Sequence, residues 1–409
     1  MSLEYKLKYE KYKLKYLNLK HGGDLNEFKL TSNPNIILQS NDPFFTKAIT
    51  IPKMELKYAK TVLDEMMPES LFVAPNGTIY PKNIKSNIIL SDVHGIHWGQ
   101  RKLLLSEIQF MTPFHNQDFL VIYAGSADGR HINLLTKMFP TFEFHLYDPR
   151  KFYETLYSNK SIHINPYYTD KNDPQYGFFT DDVAKFYGQS YPDRKILFIS
   201  DIRTMPEEGD DDFSNVVRGD QNLLEENVMG NQNAQKKWTM ILTPVATILK
   251  FKMPYPLKNS PKYYEYLDGK IQLQCWAPQI SSETRLIVTG DLHNVWYSVT
   301  QYERKMAYYN NYVRPFDYSA FKLSYFGIPF DITFKSFWHP IFNGNIGFDF
   351  VYELLILYAY INKLNDNATL DDLKDIVAMI NVNLMDIGTK FSHYLKIKKR
   401  KFVTNSLNV

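Results

Sequence analysis

Two acids in this chain stand where short apolar runs end, and that placement is what chemistry at a sheet edge needs. Phe119 to Ala124 suits a strand buried on both faces of a parallel sheet, and it runs into Gly125-Ser-Ala-Asp-Gly129. Phe142 to Tyr147 reads as another strand and ends on Asp148; Lys195 to Ser200 reads as a third, buried strand and ends on Asp201. Gly125 and Gly129 allow a turn that approaches a ligand closely, and Leu134, Leu135 and Met138 follow at helical spacing. Strand, glycine turn, helix, strand, acid is the layout of a nucleoside-binding βαβ unit. Its acid lies about twenty residues past the turn and can take two ribose hydroxyls. The glycine spacing is GxxxG rather than GxGxxG. The missing third glycine argues against a pyrophosphate and for a ribose ligand without phosphate, such as S-adenosylmethionine.

Four polar residues make a second pattern, in the order Lys102, Asp201, Lys250 and Glu283. An amine that takes a proton from a hydroxyl near neutral pH must fall well below its usual pKa of about 10.4, and burial beside a like charge does this. Two lysines with two orienting carboxylates form a chemically sensible set. Spacing alone selects it weakly, because 22% of the chain is charged. Leu103, Leu104, Glu107 and Ile108 predict a helix with Lys102 near its start, where an ammonium opposes the helix dipole. Such local conflicts gather at functional places.

The elements that must carry these residues read as an α/β fold. The expectation is a Rossmann-like, mostly parallel sheet with helices on both faces, as in S-adenosylmethionine-dependent methyltransferases. It should close with an antiparallel hairpin of Thr284–Thr289 and Val295–Thr300 around Gly290-Asp291. Residues 157–180 read as a loop-rich crossover, 182–190 and 222–238 as helices, and 350–364 as an apolar core helix. Thr369 is the expected cap of a further helix. Five regions follow along the chain: a basic Tyr/Lys-rich helix over 1–23, an extension over 24–95, a core over 96–315, a helical part over 316–389 and a basic tail over 390–409. An acidic loop spans 206–222.

The chain has 409 residues, 15% of them aromatic, and a net charge of +3. That charge is too small to prove a polyanion partner. The single cysteine, Cys275, excludes an internal disulfide and a cysteine-built zinc site, and a reducing compartment is expected. No metal-ligating set is read from the sequence. No apolar run approaches the roughly 18 residues of a membrane span, so none is expected. Oligomeric state stays open.

Several ordered motifs together resemble a known family. They are Gln100-Arg-Lys-Leu-Leu-Leu-Ser-Glu107, Tyr123-Ala-Gly-Ser-Ala-x-Gly-x-His131, Ile199-Ser-Asp-Ile-Arg203, Pro244-Val-Ala-x-x-Leu-Lys250, Ser282-Glu283-x-Arg285-Leu286 and Tyr302-Glu303-x-Lys305-Met306. The family is the poxvirus-type cap-specific mRNA 2′-O-methyltransferases, whose members double as processivity subunits of the viral poly(A) polymerase. The resemblance implies methyl transfer from S-adenosylmethionine to the ribose of the first transcribed nucleotide of capped mRNA. It places Lys102, Asp201, Lys250 and Glu283 on the catalytic tetrad, with Lys250 as general base. It places Gln100, Tyr123, Gly125, Gly129, Asp148, Arg150, Asp201 and Arg203 at the cofactor. For the cap it implies Tyr255 as one stacking ring, Tyr80 as the other, and Glu303 on the guanine edge. Two positions depart: Ile280 stands for an aromatic and Leu257 for an acid. Asp128 replaces a proline in the glycine turn, where it could meet the cofactor's amino group or cap the following helix; the cap is the preferred reading. A poly(A) polymerase catalytic subunit is the implied protein partner, and a viral factory in the host cytoplasm the implied location, with packaging in the virion an option.

Overall fold

The computed structural model describes residues 30–33, 36–38, 97–203 and 221–254, most of 261–337, and 346–384. Tyr80, Tyr255, Leu257 and Ile280, the 1–23 helix, the acidic loop up to residue 220 and the basic tail lie outside the described residues.

The sheet is built around β3 (Phe119–Ala124), which pairs in parallel with β4 (Phe142–Tyr147) on one side and with β6 (Ile196–Ser200) on the other. β5 (Ile162–Ile164) continues in parallel beyond β4, and β7 (Ala246–Phe251) beyond β6. Next comes β10 (Thr284–Thr289), antiparallel to β7 and also to β9 (Lys270–Gln272). The strands β1 (Leu30–Asn33) and β2 (Ile36–Leu38) complete a nine-stranded order 2-1-9-10-7-6-3-4-5. The chain therefore leaves β3 toward one edge through β4 and β5, then crosses back to β6 and β7. The reversal falls between β3 and β6, and open α/β sheets leave their ligand crevice at such a point, outside the strand ends.

Helices cover both faces. β4 alternates its side chains, so His145 and Tyr147 meet Tyr187 of α3 (Asp181–Ser190) on one face, while Phe142 stacks on Phe139 on the other. α4 (Gln221–Leu242) packs on α3; α1 (Trp98–Met111) packs on α5 (Phe348–Leu364) and on α2 (Ile132–Met138). β3 and β6 are buried along their whole length, which explains their unbroken apolar sequence. The last described helix, α6 (Leu370–Asn383), begins with the expected Thr369 cap. There the Thr369 hydroxyl accepts from the Asp372 N–H while the Asp372 carboxylate accepts from the Thr369 N–H. Among the described residues no helix is long and apolar enough to cross a membrane.

Two expectations are corrected. The antiparallel strand Thr284–Thr289 is present, but it inserts between β7 and β9 instead of pairing with its sequence neighbour. β11 (Asn294–Ser298) pairs with β8 (Tyr263–Leu267) in a separate two-stranded sheet. The Gly290-Asp291 turn was a valid local signal, yet alternation alone cannot say which strand a neighbour will choose. The crossover over 157–180 also contains β5, whose three residues are too few to show a period.

Candidate active site

Each member of the Lys-Asp-Lys-Glu set comes from a different element. Lys102 lies in the first turns of α1, Asp201 follows β6 directly, Lys250 is in β7, and Glu283 precedes β10. The β7–β10 register sets Lys250 opposite Arg285, two residues past Glu283. The four side chains converge. Lys250 Nζ is 3.0 Å from Asp201 Oδ1 and 3.6 Å from Glu283 Oε2, and Lys102 Nζ is 3.5 Å from Glu283 Oε1. Arg203 donates to Glu283 Oε2 at 2.9 Å, and Arg285 donates to Asp201 Oδ1 at 2.6 Å. All are largely buried, so the attractions act at low effective dielectric.

Burial works to raise both carboxyl pKa values, and the neighbouring cations overcome it. Arg285, Lys250 and Lys102 pull Asp201 down to about 2. Lys250, Lys102, Arg285 and Arg203 hold Glu283 well below its ordinary range. Burial is also the main reason that the Lys102 amine is lowered, against the pull of Glu283. The cluster thus pairs two permanently ionised acids with an amine biased toward losing its proton, which suits abstraction of a proton from a hydroxyl.

The glycine turn sits beside this cluster. Gly125 has φ +77°, and a Cβ there would lie 2.9 Å from the Ile202 nitrogen and 3.0 Å from the Asp201 carbonyl carbon. Only glycine lets the β3 turn pass this close to the chain leaving β6. Gly129, at φ +67°, is closed against the Leu156 side chain. Asp148 is buried at the end of β4. Its Oδ2 accepts from the Ala127 N–H at 2.9 Å, and its Oδ1 accepts from the Arg150 N–H and Nε at 2.9 Å. The Arg150 side chain is 70% exposed and is paired with both oxygens of Asp148.

Other expected positions land differently. Tyr123 is fully buried, its hydroxyl donates to Glu107 Oε1 at 2.6 Å, and its side chain lines a small pocket with Asp201 and Arg285. Glu107 Oε2 is 2.8 Å from His131 Nε2, and His131 Nδ1 is 2.6 Å from Gln100 Oε1. Gln100 and Tyr123 are therefore the two ends of one buried polar chain. Asp128 does not cap α2: its carboxylate accepts from Arg130 Nε at 2.7 Å, and the residue at the helix start, His131, makes no side-chain cap. The adjacent guanidinium outcompetes the helix N–H groups for that carboxylate.

Glu303 is buried. Burial pushes its pKa up to about 8, with Lys252 and the Ser282 hydroxyl pulling the other way. Arg285 and Glu107 stand in the quoted motifs, but reading the sequence assigned neither a role in the site; only the strand register and the helix packing bring them in.

A family model described as poly A polymerase regulatory subunit matches residues 80–386. The cap-specific mRNA (nucleoside-2′-O-)-methyltransferase of fowlpox virus (strain NVSL) is 31% identical over 248 residues, covering 56% of this chain and 73% of its own. Its counterpart from myxoma virus (strain Lausanne) is 28% identical over 249 residues, covering 56% and 67%. A chain of bluetongue virus VP4, described as a multifunctional RNA-capping production line, overlaps 50% of this chain and 30% of its own. Its TM-score of 0.31 and 16% identity make that likeness too loose to argue from.

Proposed function

This chain belongs to the poly A polymerase regulatory subunit family, and from that premise we propose that it methylates the ribose 2′-hydroxyl of the first transcribed nucleotide of capped mRNA. The observation that carries the reading is the convergence of Lys102, Asp201, Lys250 and Glu283 beside the glycine turn at the sheet's reversal point.

The crevice residues fit S-adenosylmethionine, which when bound supplies an electrophilic sulfonium methyl. Asp148 offers a buried carboxylate at the strand end for ribose hydroxyls once Arg150 swings aside. The Gly125–Gly129 turn suits a nucleoside without pyrophosphate. Lys250 Nζ takes the proton of the attacking hydroxyl, and Asp201 and Glu283 hold the two amines in place. Glu303 accepts hydrogen bonds from the edge of the N7-methylguanine, with Tyr255 and Tyr80 as the stacking rings.

The test is a methyl-transfer assay on short capped and uncapped RNAs, with the product mapped to the 2′ position. Transfer confined to capped RNA supports the reading; methylation of a base, or equal transfer to uncapped RNA, overturns it. The family description names a second role, as a regulatory subunit of a poly A polymerase, which a pull-down with the viral catalytic subunit addresses.

A further inference from the structure

Glu143 and His145 lie in β4 and His163 lies in β5, at the outer edge of the sheet and short of the strand end where Asp148 emerges. The parallel register sets His145 beside His163, and Glu143, two residues back, shares their face. Glu143 Oε1 is 2.9 Å from His145 Nε2 and 3.2 Å from His163 Nε2, and one ligand atom from each residue lies within 4.8 Å of the others. Bonds of about 2.0–2.1 Å from histidine nitrogen and carboxylate oxygen to zinc place neighbouring ligand atoms roughly 3 Å apart, as Glu143 Oε1 is from each imidazole nitrogen.

The surroundings orient the three groups. Tyr187 Oη is 2.7 Å from His145 Nδ1, the kind of outer contact that fixes the ring of a ligating histidine. Arg194 is 3.3 Å from Glu143 Oε2, which leaves Oε1 for the imidazoles. Its positive charge opposes a cation, but it is shared with Asp118 at 3.3 Å. His163 is 46% exposed, so the cluster opens to solvent on that side.

We propose that Glu143, His145 and His163 form a binding site for a divalent transition-metal ion, of which zinc is the probe, tying edge strand β5 to β4 and standing apart from the catalytic crevice. Two imidazoles and one carboxylate suit zinc and its neighbours better than magnesium or calcium, which prefer all-oxygen sets.

The experiment is a calorimetric zinc titration of the chelator-stripped full chain at pH 7.5, with His163→Ala and Glu143→Gln alongside. Both changes fall at partly exposed side chains, and circular dichroism checks that the fold is kept. The expected result is one saturable site per chain, weakened at least tenfold by either change, with a zinc-dependent rise in Tm seen only in the unsubstituted protein. No saturable site in the unsubstituted chain, or an isotherm that neither substitution alters, overturns the proposal.

Discussion

Burial lowers the Lys102 amine, while family resemblance gives the proton to Lys250, so the two lysines can be separated by experiment. Lys250→Ala is expected to cut methyl transfer by about 10²-fold or more while S-adenosylmethionine still binds, since a positioned base contributes about that much. Labelled-methyl transfer and cofactor titration read the two effects; normal transfer in this variant would remove Lys250 as the base. Glu303 gives a pH signature. Its folded pKa of about 8 lies above the ordinary 4.5, so the fold binds this proton more tightly than the unfolded chain does. The stability it contributes is complete below pH 4.5 and is lost as pH rises toward 8. Relative to Glu303→Gln, the native protein should lose at most about 5 kcal/mol across that window. Denaturant unfolding of both proteins at pH 5 and pH 8 measures this, and an unchanged difference refutes it. A cationic cap should also ionise Glu303, so capped RNA should release a proton on binding near pH 7, visible as a buffer-dependent enthalpy.

Among the elements, the turn after β3 shows how backbone geometry sets the site. Gly125 and Gly290 share φ +77°, but a Cβ at Gly125 meets backbone whereas one at Gly290 meets nothing within 4 Å. Gly290→Ala therefore carries only conformational strain, on the order of 1 kcal/mol. Gly125→Ala should cost more, and it should impair catalysis as well because the atoms displaced are those of Asp201 and Ile202. Urea unfolding of the two variants gives the comparison; equal losses would show that the turn can yield. The GxxxG spacing was legible here because a positive φ leaves a glycine in the sequence. The pairing of β10 was not, because any alternating strand can dock on several edges.

At the scale of the whole described molecule, α5 and α6 aim α1. Arg101, next to Lys102, is fully buried and donates through Nε to Glu353 of α5 at 2.9 Å and through Nη1 to Asn381 of α6 at 2.8 Å. Glu353 also accepts from Trp276 Nε1 at 2.6 Å. Breaking a buried pair on one side leaves an uncompensated charge, at about 3–5 kcal/mol. Glu353→Ala is expected to destabilise by that amount and to lower methyl transfer through a misaimed Lys102, whereas an activity loss without a stability loss would place Glu353 in another role. From the sequence, residues 350–364 read as a core helix and nothing more. An acid inside an apolar helix does not reveal a partner 252 residues away.

By itself, the sequence determined the unit from β3 to β4, the acids at the strand ends and the glycine turn. Those are local choices: a buried strand needs continuous apolar residues, and a left-handed turn needs glycine. Tertiary structure alone decided that Arg203 and Arg285 join the cluster as further cations on Glu283 and Asp201, that Tyr123 turns inward to Glu107, and that His145 meets His163. Each of these depends on register and packing between segments far apart in the chain, and local sequence carries no energy term that refers to them.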